Sequence, residues 1–259
     1  MDFFHQLFLL ALLLPLVACI DPTYHHCGQN FTDNSILQQY INSVITGMVD
    51  TTPERGYATS SISDGCNTVY GLTRCRGDIG PKACSDCIIA ASQDLQEFCP
   101  GTSASRIWHD LCFLRYDTTL FLGTIDNSDL KGWRSEKEAE DPVKFSMAVL
   151  QLLNWLKTGA AAAKNEFGMG KRSFNYNASI TIYGMAQCTR DLEGITCMQC
   201  LEELTSVMIK YCTTIEGCLY MSSSCLLRFE IYNFLLASTI PTYPEVDVDA
   251  PAPSPSTIA

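Results

Sequence analysis

The sequence predicts an α+β fold: two tandem modules, each with two helices packed on an antiparallel β-sheet and stapled by disulfides. Three observations lead there. Fourteen cysteines in 259 residues are far too many for an ordinary cytosolic protein and place the chain in an oxidising compartment. Five of them, Cys75, Cys84, Cys87, Cys99 and Cys112, recur 113 positions on as Cys188, Cys197, Cys200, Cys212 and Cys225. Neighbours follow the same offset: Thr68, Tyr70 and Gly71 match Thr181, Tyr183 and Gly184, and Arg115 matches Arg228. Within each copy, apolar residues at helical spacing alternate with short runs of strand character. Two helices laid on one antiparallel sheet follow from that alternation.

The elements follow in chain order. Leu7 to Ala18 (LFLLALLLPLVA) is too short to span a bilayer and has the length of a signal-peptide core, so residues 1–19 read as a signal peptide cleaved after Ala18 or Cys19. Module one is expected over residues 22–126. Its first helix carries Ile36, Leu37, Tyr40, Ile41, Val44, Ile45 and Met48 on one face, capped by Asp33, Asn34 or Ser35. Thr68–Cys75 reads as a strand. A second helix buries Cys84, Cys87, Ile88, Ala91, Leu95 and Phe98, and Trp108–Leu122 again has strand character. Crowded polar residues at 127–140 read as a linker. Module two, over 141–236, repeats the order: a helix with Phe145, Val149, Leu152, Leu153 and Leu156, then strand Thr181–Cys188. Next come a helix with Cys197, Cys200, Leu201, Leu204, Met208 and Tyr211, and strand-like Leu219–Leu236. Residues 237–259, rich in Pro, Ser and Ala, read as a disordered tail.

Val-Tyr-Gly-Leu or Ile-Tyr-Gly-Met before Cys-x8-Cys-x2-Cys resembles the ginkbilobin-homologous (stress-antifungal) domain of plants. Two copies behind a signal peptide resemble the cysteine-rich repeat secretory proteins. Six cysteines alone allow fifteen pairings. The resemblance implies Cys27–Cys99, Cys75–Cys84 and Cys87–Cys112 in the first copy, and Cys188–Cys197 and Cys200–Cys225 in the second. At the constant offset Cys27 meets Glu140, so Cys212 loses its partner, while Cys218 appears where the first copy has Ser105. Cys212–Cys218 is then expected from this count together with the resemblance. Cys19 and Cys66 are left over: they form a further pair if cleavage follows Ala18, and Cys66 is a lone thiol if it follows Cys19.

Composition and motifs sort the function classes. A net charge of −11, with no basic patch, disfavours nucleic acid as a partner. No other apolar stretch is long enough to span a membrane. The pairs Cys84/Cys87 and Cys197/Cys200 sit in a framework of further cysteines, so disulfides are expected and neither a metal nor a cofactor is. His25, His26 and His109 carry no pattern of a catalytic base. Asp94, Glu202 and Glu203 read as solvated helix positions rather than a glycosidase pair. An enzyme is not expected. Sequons at Asn30 and Asn177 agree with secretion, and APAPSPS in the tail resembles arabinogalactan-type glycosylation sites.

The expected role is a secreted apoplastic binding protein of plant stress or defence, lectin-like for mannose-type carbohydrate, with an antifungal role. The mannose site implied by the resemblance falls on Gly28, Arg106 and Asp117; there the family has Asn, Arg and Glu. Arg106 and Asp117 lie eleven positions apart, opposite faces of one strand, and converge only if a turn or bulge intervenes near Thr102 to Trp108. The second copy has Leu219 at the Arg position but keeps Glu230, so no mannose site is expected there. The alternatives are an extracellular protein–protein interaction module for receptor-type partners, and an extracellular enzyme or enzyme inhibitor.

Overall fold

The computed structural model describes residues 24–31, 35–175 and 179–244. Residues 1–19, expected to be a signal peptide and including Cys19, together with Asn177 and residues 245–259, lie outside them. The first module runs β1 (Tyr24–Cys27), α1 (Ser35–Arg55), β2 (Tyr57–Ser63), β3 (Thr68–Cys75), α2 (Pro81–Phe98), β4 (Ala104–Trp108) and β5 (Cys112–Asp117). The second runs β6 (Lys131–Arg134), α3 (Pro142–Ala162), β7 (Phe167–Asn175), β8 (Ser179–Cys188), α4 (Gly194–Tyr211), β9 (Gly217–Met221) and β10 (Cys225–Glu230). Each module is one antiparallel five-stranded sheet, ordered β1-β4-β5-β3-β2 and β6-β9-β10-β8-β7.

Local chemistry sets the helix ends. Asp141 caps α3 by accepting from the Lys144 amide at 3.1 Å, and Pro142, with no amide hydrogen to satisfy, follows at the first turn. Gly56 ends α1 at φ +69°, a conformation that costs a side-chain-bearing residue more. The helices bury one face of each sheet. Leu37, Ile41, Val44, Met48, Val69, Ile88, Leu95 and Leu114 make that core in the first module; Phe145, Val149, Leu152, Leu156, Ile182, Leu201, Leu204 and Phe229 make it in the second. The stripes overshoot at their ends: Ile36, Phe98 and Tyr211 are exposed rather than buried, and Phe98 stacks on His25 at 4.8 Å.

The opposite, back faces of the two sheets meet. Leu72, Trp108, Phe113 and Phe121 of the first module pack with Met221 of the second. Trp108 Nε1 donates to the Ser222 carbonyl at 3.1 Å, and Gln187 Nε2 to the Cys75 carbonyl at 2.9 Å. Arg74 is buried at this interface, and desolvation pulls its pKa down to about 10 against the attraction of Asp191.

Disulfides join Cys27–Cys99, Cys75–Cys84, Cys87–Cys112, Cys188–Cys197, Cys200–Cys225 and Cys212–Cys218; Cys66 is a free, exposed thiol in the β2–β3 turn. Several expectations need correction. The interval 127–140 is not only a linker: β6 lies inside it and forms the edge of the second sheet. The tail does not begin at 237. The Lys171 amide donates to the Pro241 carbonyl at 2.9 Å, the Tyr243 amide donates back to Lys171 at 2.8 Å, and Tyr243 stacks edge-on to Trp155. The constant offset also fails at the N-terminal strand of each copy. Cys27 pairs in register with Ser105, and Arg134 with Cys218, so Arg134 and not Glu140 stands where Cys27 does. The parallel extends to the helix behind: Cys27 Sγ lies 3.4 Å from the Phe98 carbonyl and Arg134 Nη1 lies 3.4 Å from that of Tyr211.

Candidate functional site

Trp108–Leu122 is a hairpin arm and not one strand. The chain turns at 109–111, later than the expected Thr102 to Trp108, so Arg106 is on β4 and Asp117 on β5. Ala104 lies opposite Asp117 and Arg106 opposite Arg115. Strand parity then puts Gly28, Arg106, Arg115 and Asp117 on the same face, the back face. With His26 they line a depression of about 50 Å³.

The polar groups of that depression already satisfy one another. Arg106 Nη1 lies 2.7 Å from Asp126 Oδ2 and 2.8 Å from Ser223 Oγ of the second module. Arg115 Nη1 reaches the same Asp126 oxygen at 2.7 Å, and its Nη2 holds Asp117 at 3.1 Å. His26 Nδ1 lies 3.1 Å from Asp129. Asp126 is anchored by donating its amide to Ser224 Oγ at 2.8 Å. Burial raises its pKa, but hydrogen bonds from Ser128 and the guanidiniums of Arg115 and Arg106 outweigh that and hold it at about 2. Gly28 donates to the Ala104 carbonyl at 2.7 Å, and a Cβ there would lie 2.6 Å from that oxygen. The asparagine implied by the family does not fit this backbone. The depression is a joint between modules, with the segment 118–130 as its cover.

The second module holds the counterpart. Trp133 lies opposite Leu219, Leu219 opposite Arg228, and Gly217 opposite Glu230. The Ser135 amide donates to the Gly217 carbonyl at 2.9 Å, as Gly28 does to Ala104. Position for position, Trp133, Ser135, Gly217, Leu219, Arg228 and Glu230 stand where His26, Gly28, Ala104, Arg106, Arg115 and Asp117 do. Among the described residues no counterpart of Asp126 reaches over them, and with Asp110 and Tyr232 they line an open cleft of about 560 Å³. Trp133 is 41% exposed. Arg228 Nε holds Glu230 at 3.0 Å, its Nη1 lies 3.4 Å from Asp110 and its Nη2 donates to the Tyr232 hydroxyl at 3.0 Å. Burial raises the Glu230 pKa, and Arg228 offsets part of the rise. Sequence reasoning set this copy aside because Leu219 replaces the arginine. Trp133 was missed because it lies outside the constant repeat offset.

The remaining sequence candidates are placed as follows. His109 is buried with Nε2 3.1 Å from Asp94. Glu202 is exposed on α4, and Glu203 accepts from Asn127. Asn30 is exposed and bridges to Thr102. Glu166, Cys188 and Cys197 form a group of metal-ligand type, but both sulfurs are bonded to each other and offer no thiolate. Among the described residues, no helix is long and apolar enough to cross a membrane.

Comparison with known proteins adds three findings. The profile of the salt stress response/antifungal family matches the chain twice, at residues 23–119 and 133–232. The chain is 34% identical to cysteine-rich repeat secretory protein 55 of Arabidopsis thaliana over 88% of each chain, and 33% identical to an antimicrobial ginkbilobin-2-like protein of Castanea crenata over 88% of this chain and 94% of that one. The tandem DUF26 ectodomain of the cysteine-rich receptor-like protein PDLP8 of Arabidopsis thaliana superposes with a TM-score of 0.69 over 83% of this chain and all of that one, at 22% identity.

Proposed function

Because the chain belongs to the salt stress response/antifungal family, we propose that it is a secreted, apoplastic binding protein of stress or defence, and that its ligand site is the open cleft of the second module. The observation that carries this reading is the contrast between two equivalent positions: about 50 Å³, filled by the protein's own ion pairs, against about 560 Å³ open to solvent. The larger volume is in the range of small-molecule sites. An exposed indole beside an arginine–carboxylate pair suits a pyranose, whose ring lies flat on an aromatic face while its hydroxyls donate to carboxylate and accept from guanidinium. This keeps the lectin-like reading and moves it from Gly28, Arg106 and Asp117 to Trp133, Arg228 and Glu230.

The test is a glycan array, mannose-type glycans included, probed with the mature chain, Trp133→Ala and Arg106→Gln. Binding lost in Trp133→Ala is the expected result. Binding lost only in a folded Arg106→Gln protein would return the site to the first module. A second reading, a protein-interaction module, is favoured by the receptor-like ectodomain that superposes on both modules together. An empty array combined with capture of a single receptor-type protein would select it.

A further inference from the structure

We propose that the ligand of the second-module cleft is amphipathic: a hydroxylated, non-cationic head in the cleft, bearing a benzene-sized apolar group that enters a recess beside it. The inference rests on the reading of the cleft as the ligand site.

The recess, about 160 Å³, has an apolar wall of Ala139, Phe145, Phe174, Ile180 and Ile231, and Lys137, Glu140 and Glu216 complete its lining. Phe145 is fully buried and meets Phe174 edge-on at 5.4 Å. A cavity of about 150 Å³ takes up benzene, so by volume this one matches a single aromatic ring or a short branched chain lying against the apolar wall. Two residues, Glu216 and Ile231, line both the recess and the cleft, so one small molecule can occupy the two. Leu219, where the first module has Arg106, makes the neighbouring cleft floor apolar.

The head is not cationic because the carboxylates around it are matched. Glu216 pairs with Lys137 at 2.8 Å, Glu230 with Arg228 at 3.0 Å, and Asp110 lies 3.4 Å from both Arg76 and Arg228. A cationic ligand would have to displace one of these partners, whereas Arg134 in the cleft wall, which reaches only the Tyr211 carbonyl at 3.4 Å, has donors to offer a hydroxyl. A hydroxyl adds to a charged pair without breaking it.

The probes are methyl and phenyl glycosides of the common hexopyranoses, titrated calorimetrically into the full mature chain. The phenyl glycoside of the preferred sugar should bind about tenfold tighter than its methyl partner, or better, because the ring leaves water for an apolar site. Ala139→Leu, which fills the recess, should bring the phenyl compound down to the methyl level; Ile180→Trp serves the same purpose should the first variant fail to fold. Equal affinities for the two glycosides, both lost in Trp133→Ala, overturn the recess while leaving the cleft reading in place. A phenyl preference that survives both filling variants also overturns it. Absence of binding by every glycoside overturns both readings together.

Discussion

The two modules share a framework element for element, yet their back faces differ. In the first, the chain leaving β5 folds across its own sheet, and Asp126 clamps Arg106 and Arg115 while Ser223 reaches over from the second module. In the second, the chain leaving β10 starts the same way: Phe234 lies under Arg228 as Phe121 does under Arg115, and the Leu236 amide donates to Asp78 as that of Gly123 does to Asp191. It then turns aside to pair with Lys171 through Pro241 and Tyr243, and among the described residues nothing reaches Arg228 as Asp126 reaches Arg115. The difference lies less in the residues of the site than in the connection that passes over it. The same face becomes glue in one copy and a cleft in the other.

The largest predicted difference between the copies is covalent. Cys27–Cys99 closes 72 residues and Cys212–Cys218 closes 6. Loop-closure entropy gives about 4 kcal/mol for the first and about 2 kcal/mol for the second. Urea titration of the two double cysteine-to-alanine variants should show that order, and equal losses would mean that the N-terminal strand is held by its neighbours instead.

Next comes Asp126→Ala. It takes the shared carboxylate from two guanidiniums whose side chains are 13% and 9% exposed; Arg115 keeps Asp117, and Arg106 keeps Asp129 and Ser223, so the cost is about 2 kcal/mol. Glu230→Ala should cost about 1 kcal/mol or less, because Arg228 keeps Asp110 and Tyr232. The pH dependence follows the same asymmetry. Asp126 is depressed from 3.8 to about 2, so its contribution is present above the unfolded value and is lost as pH falls from 3.8 toward 2. Asp126→Asn should flatten the acid limb of the stability curve in that window. An unchanged limb would assign the acid sensitivity to other carboxylates.

The smallest contrast concerns Gly28. Gly28→Asn must push the Ala104 backbone aside and should cost about 1–3 kcal/mol without creating sugar affinity. Ser135→Ala, at the matching position, should stay within about 0.5 kcal/mol. A Gly28→Asn protein that is fully stable and binds mannose would reverse the assignment of the two faces.

Much of the fold is legible in the chain. Helical spacing at Ile41, Val44 and Met48, and at Val149, Leu152 and Leu156, marks real helices, because a buried stripe must repeat with the helix period. The offset of 113 marks two copies. The edge strands are not legible: Tyr24–Cys27 and Lys131–Arg134 are four residues long and polar, and they carry no alternation to recognise. The cleft is less legible still. Leu219 in place of arginine reads as a lost site, and only the three-dimensional register shows Trp133 facing it. Hydrogen-bond partners distant in sequence, such as Arg106 with Ser223, leave no local signal at all.

The uncovered face of the second sheet has a consequence for engineering. Among the described residues, Trp133, Leu219 and Tyr232 support no neighbouring layer, so replacing them should leave the melting temperature of the scaffold nearly intact. The welded face of the first module, six cross-links and a shared apolar seam hold that scaffold rigid. The cleft is therefore a place where new specificities can be grafted by randomising a handful of positions on β6, β9 and the segment after β10.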